Sequence, residues 1–237
     1  MTEDPSCCCT MAGNDVRYCR LIGAGDCERL EPAGPGDLVI AVDGGLLHAQ
    51  RLGVRADLAV GDFDSLGYVP QGIPVFRHPV IKDDTDMMLA VRLGLERGYR
   101  RFLIYGGLGG RLDHTLANLQ TLAFVSRAGA AGVLVGDGYC LTVLGDGCEA
   151  RFGAEAKGTV SVFSLAEESR GVDEEGLLYT LSEGTLRVDF PLGVSNEFTG
   201  RPALVRVWQG MLAVYWQGPR TWLGTIEKSD AAGERRV

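Results

Sequence analysis

The stretch "GDFDSL", residues 61–66, sets Asp62 and Asp64 on either side of Phe63, directly after the apolar run 56–60. Two carboxylates at that spacing repel each other, and neither belongs in a core. On an extended segment residues two apart face the same side, so both could approach one cation. Oxygen ligands without His or Cys nearby favour Mg2+ over zinc. Other carboxylates stand in comparable settings. Asp43 closes "DLVIAVD", Asp83, Asp84 and Asp86 open a helix in "KDDTD", and Asp113 follows "RFLIYGGLGGRL". Each also has a plainer reading: Asp43 as a turn residue, Asp83 or Asp84 as a helix N-cap, Asp113 as a charge at the positive end of its helix.

The second stretch with chemical content is "YGGLGGRLDH", residues 105–114. Gly106, Gly107, Gly109 and Gly110 let backbone N–H groups approach a phosphate chain beside a helix N-terminus. No Gly-Lys-Ser/Thr follows, and GxGxxG is not matched, so this is neither a Walker loop nor a dinucleotide fingerprint. Arg111 can bracket phosphate oxygens, and Lys82 could do similar work. His48 and His78 read as structural or solvated, and His114 as a neighbour of the glycine motif. Trp208, Tyr215 and Trp216 sit in apolar runs and read as core.

These residues need elements to bring them together. Between residues 17 and 140, short apolar runs bounded by Gly or Asp ("YCRLIG", "DLVIAVD", "ADLAVGD", "RFLIYGG", "GVLVGD") alternate with helical patterns. Such runs are strands buried on both faces, and the alternation predicts a layered α/β domain with a mostly parallel sheet. Ligands then gather at the carboxyl ends of the strands, where every carboxylate above falls. In the helix over 111–129, Leu112, Leu116, Leu119 and Ala123 recur at helical spacing, and Gly129 is placed to end it. From 141 to 224 the helical period disappears. Asp146-Gly147 and Gln209-Gly210 read as hairpin turns, and the segment predicts an antiparallel β-sandwich. The charged stretch after Thr225 reads as a frayed tail and the first residues as a disordered lead-in.

Composition limits the function. The formal net charge of −8 argues against a nucleic-acid partner or an anionic membrane surface, both of which need a basic footprint. No apolar run is long enough for a membrane-spanning helix, and the start lacks the basic and apolar regions of a secretory signal. Seven cysteines, three of them adjacent at Cys7–Cys9 and none in a CxxC pair, suit reduced cytoplasmic thiols better than disulfides. A zinc site on that run is poorly supported, because adjacent residues rarely converge on one ion.

The ordered series "AVDGG" (41–45), "GDFDSL" (61–66), "KDDTD" (82–86) and "GGLGGRLDHTLANLQTL" (106–122), with the later "PLGVSNEFTG" (191–200), resembles the thiamine pyrophosphokinase family. The resemblance implies an α/β catalytic domain, a C-terminal β-sandwich and a homodimer with its active site between subunits. It also implies the Mg2+-dependent conversion of ATP and thiamine to AMP and thiamine diphosphate. By that resemblance Asp62, Asp64 and Asp86 hold the metal, with Asp43 beside them. Thr85, Gly106, Gly107, Gly109, Gly110, Arg111 and Asp113 lie on the nucleotide side, and Ser195 and Asn196 hold the thiamine. Met87 and Met88 replace residues that are often polar in relatives, and an aromatic partner for thiamine has no clear counterpart around Leu177–Leu181. Two other classes fit the acidic set: a Mg2+-dependent phosphohydrolase, and a nucleotide- or thiamine-binding module without catalysis.

Overall fold

Apolar runs with no polar alternation can only be strands covered on both sides, and that is how they fold. The computed structural model describes residues 8–10, 16–64, 67–76 and 84–229. Within its α/β part lie β2 (Cys19–Ile22), β3 (Leu38–Val42), α1 (Gly45–Arg51), β4 (Leu58–Val60), β5 (Val75–Phe76), α2 (Asp86–Glu96), β6 (Arg101–Tyr105), α3 (Leu112–Arg127) and β7 (Ala131–Val135). The remaining strands are β1 (Cys8–Thr10), β8 (Cys140–Leu144), β9 (Cys148–Phe152), β10 (Lys157–Ser164), β11 (Glu168–Glu175), β12 (Leu181–Arg187), β13 (Asn196–Thr199), β14 (Ala203–Gln209), β15 (Leu212–Trp216) and β16 (Leu223–Lys228), with a 3-10 turn at Arg220–Trp222. Contacts divide the chain into an α/β unit, Arg17–Val125 with Gly132–Asp137, and a β unit formed by the rest.

In the α/β unit the strand order is β7-β6-β2-β3-β4-β5. β2 pairs in parallel with both β3 and β6, and the β3–β4 and β4–β5 pairs are also parallel. The chain therefore runs outward on one side of β2 and returns to build on the other. The order reverses between β2 and β6, and a doubly wound sheet leaves its crevice at such a point. Ile22, Val39, Ala41, Leu46, Ala49, Ala59 and Phe63 form one core cluster beneath that edge.

The β unit contains two antiparallel sheets, β1-β16-β9-β14-β11-β12 and β13-β10-β15-β8. Phe152 of the first sheet meets Trp216 and Phe198 of the second at ring-centroid distances of 5.4 and 5.1 Å, which places the sandwich core between them. Neither expected hairpin is one. β8 pairs with β15 while β9 pairs with β14 and β16, so Asp146-Gly147 crosses from one sheet to the other, and Gln209-Gly210 crosses back. The two corners hold each other: the Gly210 N–H donates to Asp146 Oδ1 at 2.6 Å, and the Gly147 N–H to the Trp208 carbonyl at 3.0 Å. Turn composition cannot distinguish a hairpin from a corner, because both need the same tight backbone.

Other expectations are also corrected. Of the charged stretch after Thr225, residues 226–228 belong to β16, an interior strand between β1 and β9, and Cys8–Thr10 of the expected lead-in pairs with it; residues 1–7, 11–15 and 230–237 lie outside the described residues. On α3 the buried positions are Asn118, Thr121, Leu122 and Val125, whereas Leu112 and Leu116 are exposed. Leu122 and Val125 pack on the sheet at Gly132 of β7, where a Cβ would come within 2.7 Å of Leu122. Gly129 does end the helix, at φ +70 with its N–H on the Ser126 carbonyl.

The unit's buried ion pair fastens its first loop. Arg20 Nε donates to Asp37 Oδ2 at 2.6 Å, and the same carboxylate accepts the N–H groups of Tyr18 and Gly34 at 2.7 and 2.9 Å. Removing one partner leaves a buried charge without compensation. Asp37→Ala is expected to lower stability by about 3 kcal/mol, read as a shifted midpoint in urea unfolding; an unchanged midpoint would show that the loop relaxes around the lone guanidinium.

Candidate active site

A cleft of about 410 Å³ opens at the reversal point, lined by Gly23, Gly25 and Asp26 after β2, Asp43 after β3, Thr85–Met87 at the start of α2, and Gly106–Arg111 after β6, apart from Leu108. Its floor is backbone against backbone. The Gly23 N–H donates to the Tyr105 carbonyl, the Gly25 N–H to the Gly106 carbonyl, and the Asp26 N–H to the Leu108 carbonyl, at 2.8 to 2.9 Å. A Cβ on Gly23 would lie 2.6 Å from the Gly106 oxygen, and one on Gly106, at φ +60, would lie 2.3 Å from the Gly23 oxygen. Only a pair of glycines permits that approach. Asn118, buried on α3, supports the loop from behind through Nδ2 donated to the Gly107 carbonyl at 2.8 Å.

Three of the predicted carboxylates act on one another. Burial pushes the Asp86 carboxyl above its ordinary value, and the charges of Asp62 and Asp43 push it further the same way. Asp43 is set by a backbone that few residues adopt, at φ +47, with its N–H on the Val60 carbonyl at 2.8 Å. Gly61 lies directly against it; a Cβ there would be 3.2 Å from the Asp43 Cα.

The segment after Gly61 is a turn, not the extended strand that the two-residue spacing suggested. Phe63 sits at φ +63 with its ring in the core, so the ring anchors the loop and both flanking carboxylates are exposed. Asp62 Oδ1 accepts the Asp64 N–H at 3.0 Å, and so fixes the turn. Among the described residues no three His, Cys, Asp or Glu side chains stand close enough to cage a metal ion. Ser65, Leu66, His78, Lys82 and Asp83 lie outside the described residues, as do the side chains of Cys7–Cys9.

Thr85, not Asp83 or Asp84, caps α2: its hydroxyl accepts the Met88 N–H at 3.2 Å, while Asp84 pairs with Arg92 at 2.9 Å. Arg111 lines the cleft, and Asp113 spends both carboxylate oxygens on it, at 3.1 and 2.5 Å. That guanidinium holds the Asp113 carboxyl below its usual range. Among the described residues, three carboxylates (Asp26, Asp43, Asp86) line the cleft together with the Arg111 guanidinium.

In the β unit, Ser195 stands exposed at φ +61 with its N–H on Ser161 Oγ at 3.0 Å. Asn196 differs from its neighbour in being buried, and its amide is committed inside the protein. Oδ1 accepts the Tyr179 and Glu197 N–H groups, both at 2.9 Å, and Nδ2 donates to the Tyr179 carbonyl at 2.6 Å and to Glu174 Oε2 at 2.9 Å.

Residues 35–131 match the thiamin pyrophosphokinase catalytic domain, and residues 151–212 match the thiamin pyrophosphokinase vitamin B1 binding domain; together they cover more than half of the chain. The chain belongs to the thiamin pyrophosphokinase family. A thiamine pyrophosphokinase of Bacillus subtilis (strain 168) is 35% identical over 91 residues, 36% of this chain and 42% of that protein. The aligned part thus spans less than half of the relative's length. The crystal structure of thiamine pyrophosphokinase from Bacillus subtilis superposes with a TM-score of 0.74 at 24% identity, covering 85% of this chain and 99% of that one. A thiamin pyrophosphokinase from Geobacillus thermodenitrificans gives 0.72 at 25% identity (87% and 100% covered), and a thiamin pyrophosphokinase family protein from Enterococcus faecalis gives 0.70 at 26% (86% and 100%).

Two features of this cleft escaped the sequence reading. The loop "GAGD" (23–26) follows a predicted strand and carries two glycines, a signal that could have been weighed as the partner of the 106–110 loop. Asn118 could not have been singled out, because a helical Asn more often faces solvent.

The repulsion on Asp86 has a measurable consequence. A carboxyl whose folded-state titration is raised destabilises the fold while ionised, and that cost vanishes below its unfolded value of 3.8. Asp86→Asn is therefore expected to raise the melting temperature at neutral pH, with the gain fading as pH falls through the raised titration point towards 3.8. A lower melting temperature at pH 7 would show that Asp86 is compensated in the apo-protein.

Proposed function

We propose that this chain is a thiamine diphosphokinase, which transfers a pyrophosphoryl group from ATP to thiamine and releases AMP. One observation carries the reading: the two glycine loops and the carboxylates Asp43 and Asp86 meet in one cleft at the sheet's reversal point. A tetra-anionic nucleotide entering beside several carboxylates needs a cation, and Mg2+ fits the donors present. All are carboxylate oxygens, and Mg2+ is usually held by one or two carboxylates plus substrate phosphates rather than by a protein cage. The carboxylates assigned to it are Asp86 and Asp62, with Asp64 on the same turn. When bound, the ion supplies the positive charge that phosphoryl transfer requires.

The protein's own contribution is position and charge. The N–H groups of the Gly106–Gly110 loop and the Arg111 guanidinium take the phosphate oxygens, and Thr85 and Asp113 lie on the nucleotide side, Asp113 through its hold on Arg111. The thiamine hydroxyl oxygen attacks the β-phosphorus, the bond from that phosphorus to the α,β-bridging oxygen breaks, and AMP leaves. Asp43 is assigned the hydroxyl proton. The vitamin is assigned to the Ser195 segment of the β unit.

A homodimer, with the active site drawing on both subunits, is part of the same proposal. Support comes from the apolar side chains that the β unit leaves in water: Phe163, Val188 and Phe190 share one groove, and Leu178, Leu192 and Val194 are exposed as well. Monomers rarely expose so much. A cytoplasmic setting is proposed from the four described cysteine side chains, all buried and none in a disulfide. Among the described residues no helix is long and apolar enough to cross a membrane.

Incubation with ATP, Mg2+ and thiamine is expected to yield AMP and thiamine diphosphate in equal amounts, and Asp62→Asn to lower turnover about a hundredfold or more. Free phosphate without thiamine would point to a hydrolase, and binding without any AMP to a non-catalytic module. Light scattering is expected to give a dimer mass for the wild type and a monomer mass for Phe190→Asp; a monomeric wild type would rule out the shared site.

A further inference from the structure

A carboxyl in the wall of a β-sandwich asks for an explanation. Glu174 of β11 is 3% exposed and pairs across the sheet with Val205 and Leu181. An apolar side chain of the same volume would avoid the cost of desolvating a carboxylate, so packing alone does not account for it. Burial pushes its titration up, and the hydrogen bond it accepts from Asn196 Nδ2 pulls it back.

That hydrogen bond orients an amide with two ends. With one Nδ2 hydrogen fixed on Glu174, the other reaches the Tyr179 carbonyl, and Oδ1 faces the N–H groups of Tyr179 and Glu197. Asn196 thus grips both backbone groups of Tyr179, as an adjacent strand would. The Leu178 N–H on the Glu197 carbonyl at 2.9 Å and the Leu177–Phe198 bridge extend the same pairing. The residue before Asn196 is Ser195, exposed and in the left-handed conformation, and the residue being gripped is Tyr179, whose side chain is 69% exposed. One buried amide holds the backbone of Tyr179 and of Glu197, next to the exposed Ser195, and one buried carboxylate holds that amide.

We propose that Glu174 is a positioning residue for the vitamin-holding segment, acting through the Asn196 amide on the backbone of Tyr179 and Glu197, the latter two residues after Ser195. This rests on the reading that thiamine binds at the Ser195 segment. Asn196 on this account does not touch the vitamin; its four polar contacts are all within the protein.

Two substitutions separate reach from charge. Glu174→Gln keeps an oxygen at the same distance and loses the charge, and Glu174→Asp keeps the charge but falls short of Asn196. In the AMP-release assay with Mg2+, Glu174→Asp is expected to raise the KM for thiamine about tenfold, the scale of one lost hydrogen bond to a charged group. The KM for ATP and kcat are expected to stay within about twofold of wild type, and Glu174→Gln to restore the thiamine KM. Amide hydrogen exchange at Tyr179 and Glu197 should quicken in Glu174→Asp and not in Glu174→Gln. An unchanged thiamine KM in Glu174→Asp, an equal rise in both KM values, or a Gln variant no better than the Asp variant would each overturn the role. A wild type that makes no thiamine diphosphate would instead overturn the functional reading on which it stands.

Discussion

Burial and two neighbouring carboxylates act on Asp86 in the same direction, and the elements carrying them leave that repulsion little room to relax. Asp43 is tied by its N–H to the end of β4, and Gly61 is packed against its Cα. Asp62 is locked into a turn by the Asp64 N–H, with Phe63 buried between them. Asp86 opens a helix capped by Thr85, whose dipole favours a negative charge there and offsets part of the repulsion. The fold keeps Asp43 and Asp62 near enough to Asp86 to push its titration up. Under the proposed function, a cation arriving with the nucleotide would relieve that repulsion.

The frame that withstands this is made from close backbone approaches. Gly23 and Gly106 bring the loops after β2 and β6 together without side chains between, and three inter-loop hydrogen bonds hold them there. The two loops approach this closely because neither Gly23 nor Gly106 carries a Cβ atom. The non-glycine residues at positive φ include Asp43, Phe63 and Ser195, all within the segments assigned to chemistry or binding. Such conformations persist only where the surroundings over-determine them, as a core-anchored Phe63 and a doubly paired Asn196 do here.

The strand runs of the α/β unit were legible because burial on both faces leaves an uninterrupted apolar signature: β2, β3, β4 and β6 fall within the predicted runs, and β7 begins one residue before its run. Only the two-residue β5 was too short to register. Which way a turn leads was not legible: Asp146-Gly147 and Gln209-Gly210 change sheets, a choice made by pairing partners far along the chain. The α3 stripe failed for a related reason. Leu112 and Leu116 have the right spacing, but the face that packs holds Leu122 and Val125 against Gly132, which lies on another element.

Residue type drew attention to the carboxylates and passed over the amide of Asn118. A carboxylate is costly to bury, which is why several falling at strand ends were read together. An Asn can satisfy itself with backbone alone, since it carries two donors and two acceptor lone pairs. Asn118 and Asn196 show both outcomes of that chemistry: one supports a loop that lines the cleft, the other fixes a segment bearing exposed side chains. In each case the function of the amide is to hold a stretch of backbone that has no regular partner of its own. Side chains that bind ligands and side chains that hold them ready are chemically alike, and accounting for every polar atom separates the two.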